Sequence, residues 1–399
     1  MPVTGKTDCD HVLRDTLTSC REQDYAGYGK FDALNSPVLE FLSFDNPWLR
    51  LIYIQSVMRC PFHVRPWLGV KKSRNPKGIA LFARAYLFLY QRTGQPEYLT
   101  EARALLDWLL EHPSPDQKRF CWGYNFIWQE LPPFLQWRYA PNIVVTVFVG
   151  EALVHAYRVT QDARYLDAAC SVAEFITTDL PVQHETAEER AISYLLTETG
   201  FIVLNVQVMS AALLAKVWKE TGERRLKDIA QKQVAFTINR RTDYNAWYYT
   251  HPKGKSPIRH DNYHTGGIVD GILEYCEETG DDRFLSVYWD GLRYYQAHLF
   301  EADGAPRWMN DRKYPHDVHG SAQGIISFAK AGRHRPEYHD QARLIADWTI
   351  THLYRPKTRD FRYRQGRWMT WDYSLMRWCN AWMTRALAGW ALNEHHNSA

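Results

Sequence analysis

Two short stretches hold the side chains best suited to chemistry. Arg259–Ile272 (RHDNYHTGGIVDGI) sets Asp261, Tyr263 and His264 just before a Gly-Gly step and an apolar helical pattern. Tyr314–Ile326 (YPHDVHGSAQGII) sets His316, Asp317 and His319 ahead of small residues and a second such pattern. Three chemistries fit these groups. Asp261 and Asp317 could serve as the acid and base of glycoside hydrolysis. His264 and His319 could take and return a proton in epimerisation, and with Tyr263 as acid the same base could drive β-elimination from a uronate. Plain structural roles compete: Asp261 could simply cap its helix, and His319 could be a satisfied core histidine.

Other polar and aromatic groups also stand at the starts of apolar helical segments. Trp122, Tyr124, Tyr263, Trp378 and Trp382 are candidates to stack on a sugar ring. Asn205, His316 and Asp372 are candidate polar contacts, and Arg377 is a candidate carboxylate clamp. Helix N-termini present unpaired N–H groups and partial positive charge, which favour anions and keep a nearby imidazole neutral. The His316-x-x-His319 spacing with Asp317 is a partial ligand set with no third distant partner, so neither a metal nor a cofactor is expected. Walker, GxGxxG and GxSxG motifs are missing from the sequence.

The elements that must position these groups repeat. GIALFARAYLFLYQRTG (78–94) is apolar on nearly all faces and stops at Gly94, and PEYLTEARALLDWLLEH (96–112) is amphipathic. The same plan recurs at 142–180, 205–240, 264–300 and 319–354, and a Trp-rich helix over 374–393 ends the series. The apolar helices begin about 50–65 residues apart, the spacing of a structural repeat. Six such hairpins closed into an (α/α)6 toroid would bury every inner helix on both sides. Their starts would then converge at one end of a central funnel. The fold expected is all-α, with short β-hairpins in the loops at that end, such as 246–251 and 360–371. Residues 1–24 read as a polar N-terminal arm and 25–395 as one toroid domain. The helix before Pro61 is expected to supply the first outer partner.

Composition limits the partners. A net charge of +3 over 399 residues is too mild to argue for nucleic acid. Apolar runs such as 143–150 are too short to span a bilayer. Seven scattered cysteines and a polar N-terminus fit a cytoplasmic protein. The chain carries 16 Trp, 24 Tyr and 17 Phe, an excess that suits sugar stacking as well as a core.

The hairpin plan, with the turn pattern T-G-x-x-x-Y-L at Thr93–Leu99, resembles the six-hairpin glycosidase-like superfamily. GYGKFDALNSP, RNPKGIALF, YHTGG, YPHDVHGSAQGI and MRWCNAWMTRAL look like bacterial polysaccharide-biosynthesis proteins of the VpsJ type. More distant resemblances are to N-acylglucosamine 2-epimerases and unsaturated glucuronyl hydrolases. The epimerases use two histidines, which His264 and His319 match in placement. The resemblance implies a carbohydrate-active enzyme (a glycoside hydrolase, sugar epimerase or polysaccharide lyase) acting on an anionic, uronate-like glycan, with polysaccharide-assembly proteins as possible partners. The alternative is a non-catalytic glycan-binding or scaffolding toroid in an exopolysaccharide assembly system.

Overall fold

The structure, a computed structural model, describes residues 8–131 and 134–398. Its helices are α1 (Cys9–Glu22), α2 (Pro37–Phe41), α3 (Pro47–Arg59), α4 (Pro76–Thr93), α5 (Pro96–Glu111), α6 (Ile143–Thr160) and α7 (Ala163–Glu174). They continue with α8 (Leu204–Thr221), α9 (Arg224–Ile238), α10 (Asn262–Thr279), α11 (Leu285–Leu299), α12 (Val318–Gly332), α13 (Glu337–Leu353) and α14 (Trp382–Ser398). The even-numbered helices from α4 to α14 pack in sequence, and α14 packs back on α4, closing the ring of the expected (α/α)6 toroid. The odd-numbered helices from α5 to α13 each cover the preceding inner helix from outside.

Local sequence explains why the inner helices start and stop where they do. Asn75 and Asn142 cap α4 and α6 by accepting from Gly78 N at 3.3 Å and Val144 N at 3.0 Å. Four inner helices end on a threonine whose hydroxyl donates to the carbonyl one turn back, followed by a left-handed residue. The left-handed positions are Gly94, Gln161, Gly222 and Gly280, with φ of 68°, 56°, 75° and 68°. This is the physical content of the T-G-x-x-x-Y-L turn. By length and composition α6 could cross a membrane, but two-thirds of it is buried inside the protein as an inner helix.

The sixth outer helix differs from expectation. It is α1, which packs on α14 through a face that includes the buried Val12, Leu13, Leu17 and Cys20. The first seven residues of the expected polar arm lie outside the described residues. Helix α3, before Pro61, instead lies across the mouth of the ring, where Arg59 O and Cys60 O accept from Trp371 Nε1 at 3.0 Å and Tyr373 Oη at 3.1 Å. Short antiparallel strands build up the loops before the inner helices. His316–Asp317, Arg364–Gln365 and Thr370–Trp371 form one three-stranded sheet, and Ile202–Val203 pairs with Thr250–His251.

Candidate active site

The inner-helix starts converge on a cavity of about 760 Å³. His264, His319, Tyr263, Tyr124, Asn205, Arg377, Trp378 and Trp382, all singled out from sequence, line it together. Asp261 occupies the position just before α10, and its Oδ2 lies 2.8 Å from His264 Nδ1, one helical turn on. The approach sets the carboxylate against the imidazole without hydrogen-bond geometry, and among the described residues Nε2 has no hydrogen-bond partner. The Tyr249 ring covers the same imidazole at 4.2 Å.

His319 is held differently. Its ring stacks on Tyr263 at 4.5 Å with an interplanar angle of 4°, and Trp378 and Trp382 flank it at 4.5 and 4.2 Å. Burial holds its basicity well below the usual histidine range, and the cationic Lys77, Arg377 and Lys30 push it the same way. His319 is therefore neutral at pH 7. The Tyr263 ring also approaches His264 at 4.5 Å, so one phenol touches both imidazoles. Burial, followed by Asp261 and Asp317, raises the Tyr263 phenol well above its usual range and keeps it protonated.

The carboxylates of Asp261 and Asp317 stand behind this surface, 1% and 3% exposed, and neither lines the cavity. Asp317 Oδ1 caps α12 by accepting from His319 N at 3.0 Å, and it also accepts from Trp378 Nε1 at 2.8 Å. Burial raises its basicity, against the pull of Lys30 and Arg364. The remaining candidates fall elsewhere. Trp122 is fully buried in the core, its indole donating to Leu109 O at 2.9 Å. His316 pairs its Nδ1 with Pro306 O at 2.7 Å and packs on Trp348 of α13, outside the cavity lining. Asp372 lies outside the cavity at the surface, 3.6 Å from Arg355 and 3.4 Å from Arg362. The Gly-Gly step does two jobs: a Cβ on Gly266 would collide with Gln323 Cγ of α12, whereas Gly267 faces the cavity.

Several cavity residues were not singled out from sequence. Lys30, from the Gly- and Tyr-rich loop before α2, places its ammonium 3.7 Å from the Trp378 ring centre and 5.7 Å from that of Trp308. A buried ion pair fixes the turn that carries it. Asp32 Oδ1 accepts from Arg65 Nε at 2.7 Å, Asp32 Oδ2 accepts from Gly29 N at 2.7 Å, and Arg65 also donates to Lys30 O. Burial lowers Lys30 to about 7, partly offset by Asp317. Lys77, in the first turn of α4, lies 4.0 Å from the Phe148 ring centre, and burial beside Arg377 lowers it well below the lysine range. None of Lys30, Lys77 and Arg377 makes an ion pair with a described carboxylate. Across the whole lining, ten Lys and Arg side chains face four Asp and Glu. A basic residue inside an aromatic loop or a helix's first turn was the available signal.

Comparison with known proteins agrees with this architecture. Residues 136–290 match the family described as beta-L-arabinofuranosidase, GH127 catalytic domain. A sugar epimerase from a ruminal bacterium superposes with a TM-score of 0.64 at 14% identity, covering 82% of this chain and 90% of that one. A D-mannose isomerase gives 0.65 at 10% identity over the full length of both chains. An unsaturated glucuronyl hydrolase specific for heparin gives 0.58 at 12%, covering 83% and 89%. Comparison with curated proteins finds no match. The chain therefore has the (α/α)6 toroid fold that these structures share, and its residues 136–290 are similar to a glycoside hydrolase catalytic-domain family.

Proposed function

We propose that this enzyme moves a proton on a carbon of an anionic, uronate-like sugar or glycan, as an epimerase or lyase, in polysaccharide biosynthesis or processing. The observation that carries the reading is the Asp261–His264 contact of 2.8 Å beside a neutral His319 in one aromatic cavity. His264, oriented by Asp261, is the general base at its free Nε2. The protonated Tyr263, held in place by stacking on the neutral His319, returns a proton to carbon or supplies one to the leaving oxygen. A carbanion formed beside a carbonyl or carboxylate places negative charge on oxygen, and the unpaired Lys30, Lys77 and Arg377 are there to meet it. These basic groups also support an anionic substrate, whose charge would draw protons onto Lys30 and Lys77. The free state of all seven cysteines supports a cytoplasmic, reducing location.

A second reading, glycoside hydrolysis, is favoured by Glu130. This carboxyl lines the cavity, accepts from Trp128 Nε1 at 2.9 Å and has its basicity raised by burial, as suits a general acid. Incubation with uronate-containing saccharides in deuterated water separates the two. Deuterium at a sugar carbon, or a 4,5-unsaturated product, lost in His264→Asn and His319→Asn, is the expected result. New reducing ends without deuterium, lost in Glu130→Gln but not in His264→Asn, would transfer the assignment to hydrolysis. Saccharide binding without turnover would point to the scaffolding alternative.

A further inference from the structure

The floor of the cavity is a belt of charge to which every inner helix contributes. Arg84 of α4 pairs with Glu151 of α6, and Lys216 of α8 pairs with Glu151 and, at 2.6 Å, with Glu274 of α10. Lys330 of α12 closes on Glu274 and, at 3.0 Å, on Asp270 of α10. Burial alone would raise Glu274, but Lys216 and Lys330 hold it well below the carboxylate range, so the pairs are ionised. The belt's three carboxylates are thus already engaged by three cations. The fourth cation, Arg385 of α14, has no carboxylate within ion-pair distance among the described residues.

Arg385 is 6% exposed, lines the cavity, and has no hydrogen-bond partner among the described residues. Its neighbour Arg84 leaves its Nε buried without a partner. Burial, with Arg84 next, lowers Arg385 to about 10, so it remains charged at neutral pH. A guanidinium held charged in low dielectric beside a second one calls for a counter-charge. The groups around it are Arg84, Glu151, Asp270, Glu274 and the Phe88 ring, and every carboxylate among them is engaged elsewhere.

We propose that the cavity floor is a second anion-binding subsite, in which Arg385 with Arg84 receives a carboxylate, phosphate or halide. It lies about two helical turns inward of Arg377, so a bound saccharide with one anionic group at the mouth can place a second at the floor. The subsite stands independently of the proton chemistry proposed above.

The test needs no substrate. Wild type, Arg385→Leu, Arg385→Lys and the surface control Arg333→Gln are melted against increasing inorganic phosphate and, separately, chloride. Crystals are soaked in bromide. The expected result is an anion-dependent rise in melting temperature of about 2 °C or more in wild type and Arg333→Gln. The rise is retained in part by Arg385→Lys and lost in Arg385→Leu, which itself melts above wild type without added anion. Bromide is expected at the Arg385 guanidinium. Equal responses in wild type and Arg385→Leu, or a bromide map empty at the floor, would overturn the subsite. Once a substrate is in hand, phosphate raising KM assigns the subsite to the substrate's own anion, and an unchanged KM assigns it to a resident inorganic ion. Failure of proton exchange at the histidines leaves all of these melting and soaking results intact, so the two proposals fail separately.

Discussion

Lys30→Met removes a buried amine and leaves an unbranched side chain among the same rings. In the folded protein burial lowers this amine to about 7, against an ordinary lysine value of 10.5. Between those two pH values the folded amine is neutral while the unfolded one is charged. The unfolded state then binds one more proton, and wild-type stability rises with pH by up to about 1.4 kcal/mol per unit. Below pH 7 both states are charged and the slope vanishes. From pH 7, where the folded amine is half titrated, to pH 9, the change integrates to about 2 kcal/mol. Lys77 tilts the curve the same way, but it does so in both proteins and cancels in their difference. Urea unfolding of wild type and Lys30→Met at pH 7 and pH 9 checks this. At pH 7 the variant is the more stable protein, and its margin is about 2 kcal/mol smaller at pH 9. A margin that is the same at both values would refute the claim that Lys30 sits desolvated and unpaired, and with it one support for an anionic substrate.

Two further outcomes test the frame around the site. Asp32→Ala strands the fully buried Arg65 guanidinium and unpins the Lys30 turn, so urea unfolding should show a loss of about 3–5 kcal/mol; a loss below about 1 kcal/mol would remove the pair from that role. Gln161 fills with a side chain the left-handed position that glycine takes after α4, α8 and α10, so Gln161→Gly should raise stability by about 0.5–1 kcal/mol in the same assay.

The inner helices were legible because burial on both sides leaves them apolar all round, and because their ends repeat one Thr–left-handed turn. The sixth outer helix was not, for a reason of distance. Leu13, Leu17 and Cys20 of α1 do recur at helical spacing, but the helix they pack on is at the far end of the chain, and nothing local names that partner. Helix α3 is the more apolar of the two and stands directly before the first inner helix in sequence, yet it lies across the mouth. The site's location could be read from where His264 and His319 stand relative to their helices. The identity of the buried members could not: Trp122 and Trp378 are both tryptophans near helix starts, and only the packed structure turns one into the core and the other toward the cavity.

The two aspartates show most clearly why spacing located the site without assigning its chemistry. Asp261 and Asp317 occupy the same position, immediately before an inner helix, with a histidine two or three residues on. At Asp317 the histidine is two residues away, and its backbone N–H takes the carboxylate as a cap while its ring turns into the cavity. At Asp261 the histidine is one full turn away, no capping bond forms, and the carboxylate meets the ring itself. One residue of register thus separates a cap from an orienting carboxylate. Trp378, 61 residues along from Asp317, then takes the cap's oxygen as well. The cations follow the opposite logic. A toroid interior needs no unpaired lysine or arginine to hold together, and each one buried without a carboxylate costs stability. Lys30, Lys77, Arg377 and Arg385 are all retained in that condition along one cavity. The stability forgone in keeping them is the strongest physical argument that the cavity is shaped for a ligand bearing negative charge.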